Sequence, residues 1–536
     1  MPSKLLHSAI FRLLRLPKPV VGKVVTVRDL RVPMSDGVQL LADLWRPAGA
    51  DRPPLLLVRT PYGRRTILGQ LYGQVFSQQG FQVVVVACRG TDGSGDEFTR
   101  PFATEREDGA DTVAWLRQQP FYPGSFATVG GSYLGYTQMA LPAEAKADLW
   151  GAVLQITPAS VREIAWPDGA FALHTALGWS ATMSLKPVGM LRGALRSRAL
   201  SQRLLAAGRM GPLVDSHAEV VGRRIGFFEE WLTHPEPDDP FWEALDQRDG
   251  LLDFPCPVLV QSGWYDQFLE SSIQQYQRLQ DAGRPVRLSI GPYNHATFPT
   301  KGASVNFAEA IAFLRGLSGL GEAPSTSGVT LRLIGSDRTL VLAEWPTSLP
   351  TVRVPLPVGS GSTTFTYDPA DPASGIGGLM LDNTGGAKDQ TTREARADVA
   401  VFDLPGVPAG ENVIGTCEAE LWVASELSTT QLFVRLCLVD EKGASRNVTD
   451  RLVTLRPEER GADGCWHVQA ALAPTALALA PGQHLRLQVA GGAYPYFARY
   501  PGTAVPVGEA SSYLPNRITV RHDAAHPSAL RLPLRT

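Results

Sequence analysis

Two short runs in the first quarter of the chain, Leu55 to Val58 and Val83 to Ala87, contain no polar side chain. A strand that is apolar on every side has no face to offer water. It belongs in a mainly parallel sheet covered on both faces. A third buried strand is expected at Phe126 to Val129, and between the last two a helix over Asp108 to Gln119. Val24 to Pro33 and Val38 to Trp45 form an opening antiparallel pair around Ser35-Asp36-Gly37. This strand–helix alternation predicts an α/β fold.

The alternation stops near Ile156. Residues 157–247 are rich in Ala, Leu, Arg and Trp at helical spacing, as in Ser201 to Ala207 and Ile225 to Leu232. Strands return at Pro257 to Ser262 and Val286 to Ile290, followed by a helix over Val305 to Leu317 with Phe307, Ile311 and Leu314 on one face. Beyond about residue 325, Gly and Pro separate short alternating runs such as Leu331 to Ile334, Gln431 to Val439 and His484 to Val489. That pattern suits a β-sandwich or jelly roll. A chain of 536 residues also exceeds one hydrophobic core. The expected organisation is a core in two parts, 1–156 and 248–325, a helical insertion at 157–247, and a jelly-roll β-sandwich at 326–536.

Charge narrows the function classes. The formal net charge is -2, so no basic field draws nucleic acid or anionic membrane. The five cysteines, Cys88, Cys256, Cys417, Cys437 and Cys465, form no C-x-x-C pair, which argues against a zinc or redox motif. Their odd number in a large chain fits a reducing compartment, although Cys417 and Cys437 remain an open pairing. Arg12 and Arg15 interrupt the apolar run Ala9 to Leu16, so Met1 to Val21 reads as an amphipathic arm rather than a signal peptide. No stretch of about 18 apolar residues exists, and the expected location is cytoplasmic.

The strongest chemical signal is Ala127-Thr128-Val129-Gly130-Gly131-Ser132-Tyr133-Leu134-Gly135. A buried strand runs into Gly-Gly-Ser and a helix-like segment follows, the context of a nucleophile elbow. The G-x-S-x-G pattern is not met: Leu134 takes the last glycine's place and Gly135 comes one later. Taken alone, the segment fits a glycine-rich strand–helix turn with an incidental serine equally well.

A nucleophilic serine needs a base, and the base an orienting acid. Asp266 follows the strand Val258 to Ser262, in Gly263-Trp264-Tyr265-Asp266. His295 follows Val286 to Ile290, in Gly291-Pro292-Tyr293-Asn294-His295. Both stand at the carboxyl end of a predicted parallel strand, where open α/β sheets place ligands. The other histidines read as surface or core residues, with His174 a candidate pocket wall.

These three motifs, in this order, resemble the cocaine esterase and X-prolyl dipeptidyl-peptidase (peptidase S15) family of α/β-hydrolases. The resemblance extends to Ser445-Arg446-Asn447-Val448-Thr449-Asp450 and to Tyr494-Pro495 through Pro501-Gly502-Thr503. Its serine motif, G-x-S-Y-x-G, accommodates the displaced glycine. The resemblance implies an α/β-hydrolase core, an inserted helical cap and a C-terminal jelly roll. It also implies an oxyanion hole built from the Tyr133 N–H and the hydroxyl of Tyr62, in Thr60-Pro61-Tyr62. Without it, Tyr62 reads as a packed loop tyrosine. The chain departs from the family at Ala87, where an Asp often precedes Arg89-Gly90; Arg89 itself reads as a structural ion-pair partner.

The expected activity is serine hydrolysis of an ester or amide through an acyl-enzyme, with Ser132, Asp266 and His295 as the catalytic residues and no cofactor or metal. Trp166, Trp179 and Phe268, with Phe171, suggest walls for a bulky apolar or aromatic ester, although cap-core packing explains the cap aromatics about as well. Glu163 and Asp168 keep open an amine-recognising X-prolyl dipeptidyl-peptidase or acylase. A carbohydrate- or protein-binding scaffold is the non-enzymatic alternative. The expected partner is a small-molecule substrate, with no nucleic acid or membrane; the sequence leaves a homodimer open.

Overall fold

The computed structural model describes residues 12–184, 203, 206, 208–209, 211–347, 349–357, 359–407 and 410–535. Ten strands form one sheet: β1 (Val24–Pro33), β2 (Gln39–Pro47), β3 (Leu55–Thr60), β4 (Gln82–Ala87), β5 (Phe126–Gly131), β6 (Leu149–Gln155), β7 (Val258–Tyr265), β8 (Val286–Asn294), β9 (Gly328–Arg332) and β10 (Thr339–Leu342). Their order is β1-β2-β4-β3-β5-β6-β7-β8-β9-β10. The run from β4 to β9 is parallel, and β1, β2 and β10 join antiparallel at the edges.

The all-apolar strands have the environment their composition demands. Leu55, Leu57, Val84 and Val86 point into one apolar core, and Leu56, Val58, Val83 and Val85 into the other. Helices Glu105–Arg117 and Leu269–Asp281 cover the first face; Ile67–Gln78 and Ala303–Leu317 cover the second. The chain leaves β4 on one side of β3 and enters β5 on the other. This reversal opens a crevice at the carboxyl ends of β3 and β5, the position where α/β sheets bind ligands.

Among the described residues, 157–247 hold helices and turns, including Leu173–Ser184, Leu213–Val221 and Gly226–Thr233. The expected helix Ser201 to Ala207 lies largely outside the described residues. Trp166, Phe171, Phe228 and Trp231 join the core that also holds Tyr133, so these helices pack over the carboxyl end of the sheet.

Leu331 to Ile334 was expected to belong to the β-sandwich. Instead β9 pairs in parallel with β8, and β10 folds back on β9, so the core sheet continues to Leu342. Short apolar strands of a parallel edge and of a sandwich have the same pattern, and only pairing separates them. The C-terminal part is all-β, with its strands in an eight-stranded and a four-stranded sheet. The smaller sheet contains β11 (Thr430–Val439) and β12 (Ser445–Leu455). All five cysteines are buried and free, so Cys417 and Cys437 are not paired. Among the described residues no helix is long and apolar enough to cross a membrane.

Candidate active site

Ser132 stands between β5 and the helix Tyr133–Met139, with φ 59° and ψ −126°. A non-glycine residue pays for this backbone conformation in strain, and only the surroundings hold it there. Here the Ser132 N–H donates to the Gln155 carbonyl at 2.9 Å, and the Ser132 carbonyl accepts from Gly135 and Tyr136. The glycines have steric reasons. A Cβ on Gly130 would lie 2.4 Å from the Leu134 Cβ, and one on Gly135 would lie 1.8 Å from Thr157 Oγ1. The helix passes so close to Thr157 that the bare position must be 135, not 134. This packing accounts for the displaced glycine.

Asp266 and His295 immediately follow β7 and β8, and the adjacency of those strands brings them together. His295 Nδ1 and Asp266 Oδ2 are 2.7 Å apart, and the Asp266 side chain is fully buried. The other carboxylate oxygen accepts the Phe268 N–H at 2.8 Å. A buried carboxylate on Nδ1 fixes the tautomer and leaves Nε2 as the ring's free acceptor. Ser132 and His295 line the same cavity.

Tyr62 follows β3, in a loop pinned by the buried Arg64–Asp43 ion pair at 2.5 Å. Its hydroxyl accepts the Trp179 Nε1–H at 3.3 Å, and the residue shares the cavity wall with Ser132. Burial pushes the Tyr62 phenol above its ordinary pKa, against the opposing effect of the Trp179 and Ser132 side chains, so it is a protonated donor at neutral pH. Tyr133 opens its helix, so its N–H has no intrahelical acceptor. Its side chain points away from the cavity: the phenol donates to Glu105 at 2.8 Å and accepts the Phe102 N–H at 2.8 Å, while Glu105 pairs with Arg59 at 2.5 Å.

The cavity holds about 410 Å³. Its apolar wall includes Leu68, Ile156, Trp179, Phe298, Phe307 and Leu381. Trp179 is part of this wall and is stacked on Tyr133 and Trp231. Trp166 is not: its indole N–H donates to the Trp231 carbonyl, and the side chain is buried among the cap residues. Phe171 packs with Trp166 and Phe228. Phe268 is 2 % exposed and sits edge-on to the His295 ring at 5.5 Å, behind the histidine rather than in the cavity. Apolar residue type alone does not separate wall from packing.

The two carboxylates considered for amine recognition also lie elsewhere. Glu163 accepts the Ala159 N–H and faces a separate cleft. Asp168 is ion-paired with Arg451 of β12. The cavity's own carboxylate is Asp382, which comes with Leu381 from a glycine-rich loop of the C-terminal part. Such a loop has no periodic signal to reveal it. His174 does wall the cavity, and its Nε2 lies 3.4 Å from Asp382.

Around Ala87 the loop is held by other groups. Arg89 pairs with Asp108 at 2.6 Å and with Asp36 at 2.7 Å, and Ser94 Oγ donates to the Ala87 carbonyl at 2.9 Å. In the C-terminal part, Asp463, Cys465 and His526 bring metal-ligand atoms within 4.8 Å of one another; none of the three lines the cavity.

Comparison with known proteins agrees with this architecture. Residues 36–297 match the X-Pro dipeptidyl-peptidase (S15 family) model, and residues 325–531 match the X-Pro dipeptidyl-peptidase C-terminal non-catalytic domain. The chain is 26% identical over 584 residues to cocaine esterase from Rhodococcus sp. (strain MB1 Bresler), covering 96% of this chain and 99% of that one. In structure it is similar to an aminopeptidase from a marine sediment Thaumarchaeota archaeon, with a TM-score of 0.79 at 20% identity, covering 97% and 98% of the two chains. An α-amino acid ester hydrolase gives a TM-score of 0.75 at 21% identity, over the same shares. The chain belongs to the cocaine esterase and X-Pro dipeptidyl-peptidase (S15) family of α/β-hydrolases, and is a serine hydrolase.

Proposed function

We propose that this enzyme hydrolyses esters carrying a bulky apolar or aromatic group, with Ser132 as nucleophile, His295 as base and Asp266 as the acid that orients it. The observation that carries this reading is the shared cavity. One apolar space holds Ser132, His295 and the Tyr62 hydroxyl, with Trp179, Phe298, Phe307 and Leu381 as its large walls. Such walls favour a large apolar group and leave the few polar atoms to orient the carbonyl.

In the proposed reaction His295 Nε2 takes the Ser132 proton as Oγ attacks the ester carbonyl. Asp266 stabilises the imidazolium. The Tyr62 hydroxyl and the Tyr133 N–H donate to the oxygen as it becomes negative. His295 then protonates the leaving alkoxide, and the ester C–O bond breaks. Water, deprotonated by His295, attacks the acyl-enzyme and releases the acid and free Ser132.

Asp382 favours a second reading. As the carboxylate in the cavity wall, it would suit a substrate amine, as in an X-prolyl peptide. His174 and the Thr384 hydroxyl and N–H already engage it, however. Kinetics on p-nitrophenyl acetate, p-nitrophenyl benzoate and Xaa-Pro p-nitroanilides decide between them. The ester reading predicts the highest kcat/KM for the benzoate. A higher kcat/KM for the anilides would contradict it.

A further inference from the structure

We infer that Tyr72 is a positioning residue for Ser132, acting through a buried chain of oriented hydrogen bonds that ends on Glu309. The inference rests on the reading of Ser132 as nucleophile.

Tyr72 lies on the helix Ile67–Gln78 and is 3 % exposed. Its hydroxyl donates to Gln155 Oε1 at 2.8 Å. Gln155 Nε2 donates to Gln261 Oε1 at 2.8 Å, and Gln261 Nε2 donates to Glu309 Oε2 at 3.0 Å. Both glutamines are fully buried. Ser289 Oγ and Arg287 also donate to Glu309, at 2.7 and 3.2 Å.

The direction of this chain follows from its end. An ionised carboxylate accepts only, so Gln261 must turn its NH₂ toward Glu309 and its oxygen toward Gln155. Gln155 must then present its NH₂ to Gln261 and its oxygen to Tyr72. Tyr72 must therefore donate, as its 2.8 Å contact with Gln155 Oε1 requires. The Gln155 main-chain carbonyl accepts the N–H of Ser132 at 2.9 Å. The residue that accepts the Tyr72 proton thus also holds the N–H of the strained serine. The following N–H, on Tyr133, is the one left for an oxyanion.

An isolated glutamine amide can flip, and a buried network with one member missing loses its direction. Tyr72→Phe keeps the ring and deletes one oxygen. The Gln155 oxygen then loses its partner, a loss on the scale of about tenfold to a hundredfold in rate. The expected result is a kcat lower by that factor, KM within about twofold, and an equal slowing of Ser132 phosphonylation by a fluorophosphonate, with a cooperative thermal transition retained. Tyr72 also lines the cavity, so a rise in KM at unchanged kcat would make it only a wall and overturn the inference. Unchanged kcat and KM would overturn it too. Should Tyr72→Phe fail to fold, Glu309→Gln tests the far end: it removes the charge that orients the amides, and an undiminished kcat would overturn the inference. Ser132→Ala, measured alongside, separates the two layers. If it retains turnover, the nucleophile assignment fails; if it is inactive while Tyr72→Phe matches the parent, only the positioning role fails.

Discussion

Tyr62 shows how much one hydroxyl can decide. It shares the cavity with Ser132 and is kept protonated by burial. Tyr62→Phe should lower kcat by about 10²–10³ if that hydroxyl stabilises the oxyanion. A loss well under about tenfold in steady-state kinetics would remove it from that role. Glu163 offers a residue-scale test of a different kind. Burial raises its carboxyl from 4.5 to about 7, against the Ser271 and Ala159 hydrogen bonds. A raised folded-state pKa means that the native state binds the extra proton. Glu163's favourable contribution is therefore complete below pH 4.5 and lost as pH rises through about 7. Glu163→Gln, which mimics the protonated form, should gain stability over the parent across that window, by up to about 3 kcal/mol. Urea denaturation at pH 4.5 and pH 8 measures it; an equal difference at both pH values would refute the assignment.

At the scale of elements, the elbow depends on how closely its helix approaches Thr157. Gly135→Ala forces a methyl into Thr157 Oγ1, which is itself held by the Gln155 carbonyl at 2.7 Å. Overpacking of this kind costs about 1–3 kcal/mol, and here it also displaces Ser132. Chemical denaturation should show the loss of stability and kinetics a loss of kcat; an unaltered kcat would mean that the close approach has no bearing on Ser132. These contacts also mark what was legible beforehand. β3 and β4 were readable because burial on both faces leaves a continuous apolar run. Asp266 and His295 were readable because each directly ends a strand. The assignment of β9 was not, since pairing with β8 leaves no trace in five residues. Trp166 and Phe268 misled for a related reason: an aromatic in a core and one on a cavity wall are the same residue type, and only the fold determines which neighbours each meets.

On the scale of the whole molecule, the cavity is a joint product of distant parts of the chain. The sheet supplies Tyr62, Ser132 and His295, the helix Leu173–Ser184 supplies Trp179, and the C-terminal loop supplies Leu381 and Asp382. That loop is anchored from below. Arg435 on β11, fully buried, pairs with Asp450 on β12 at 2.8 Å and donates to the Ile376 and Gly377 carbonyls. Asn447 donates to the Gly386 carbonyl, and Asn294, next to His295, donates to the Asp382 carbonyl. The C-terminal part thus holds the outer wall of the cavity in register with the strand end that carries His295. All of this converges on Ser132, and the site of covalent modification by a fluorophosphonate, mapped by peptide mass spectrometry, tests it most directly. The proposed mechanism predicts a single adduct on Ser132, absent from Ser132→Ala, with kcat of that variant lower by roughly 10⁶. An adduct on another residue, or undiminished turnover of an activated ester by Ser132→Ala, would contradict it.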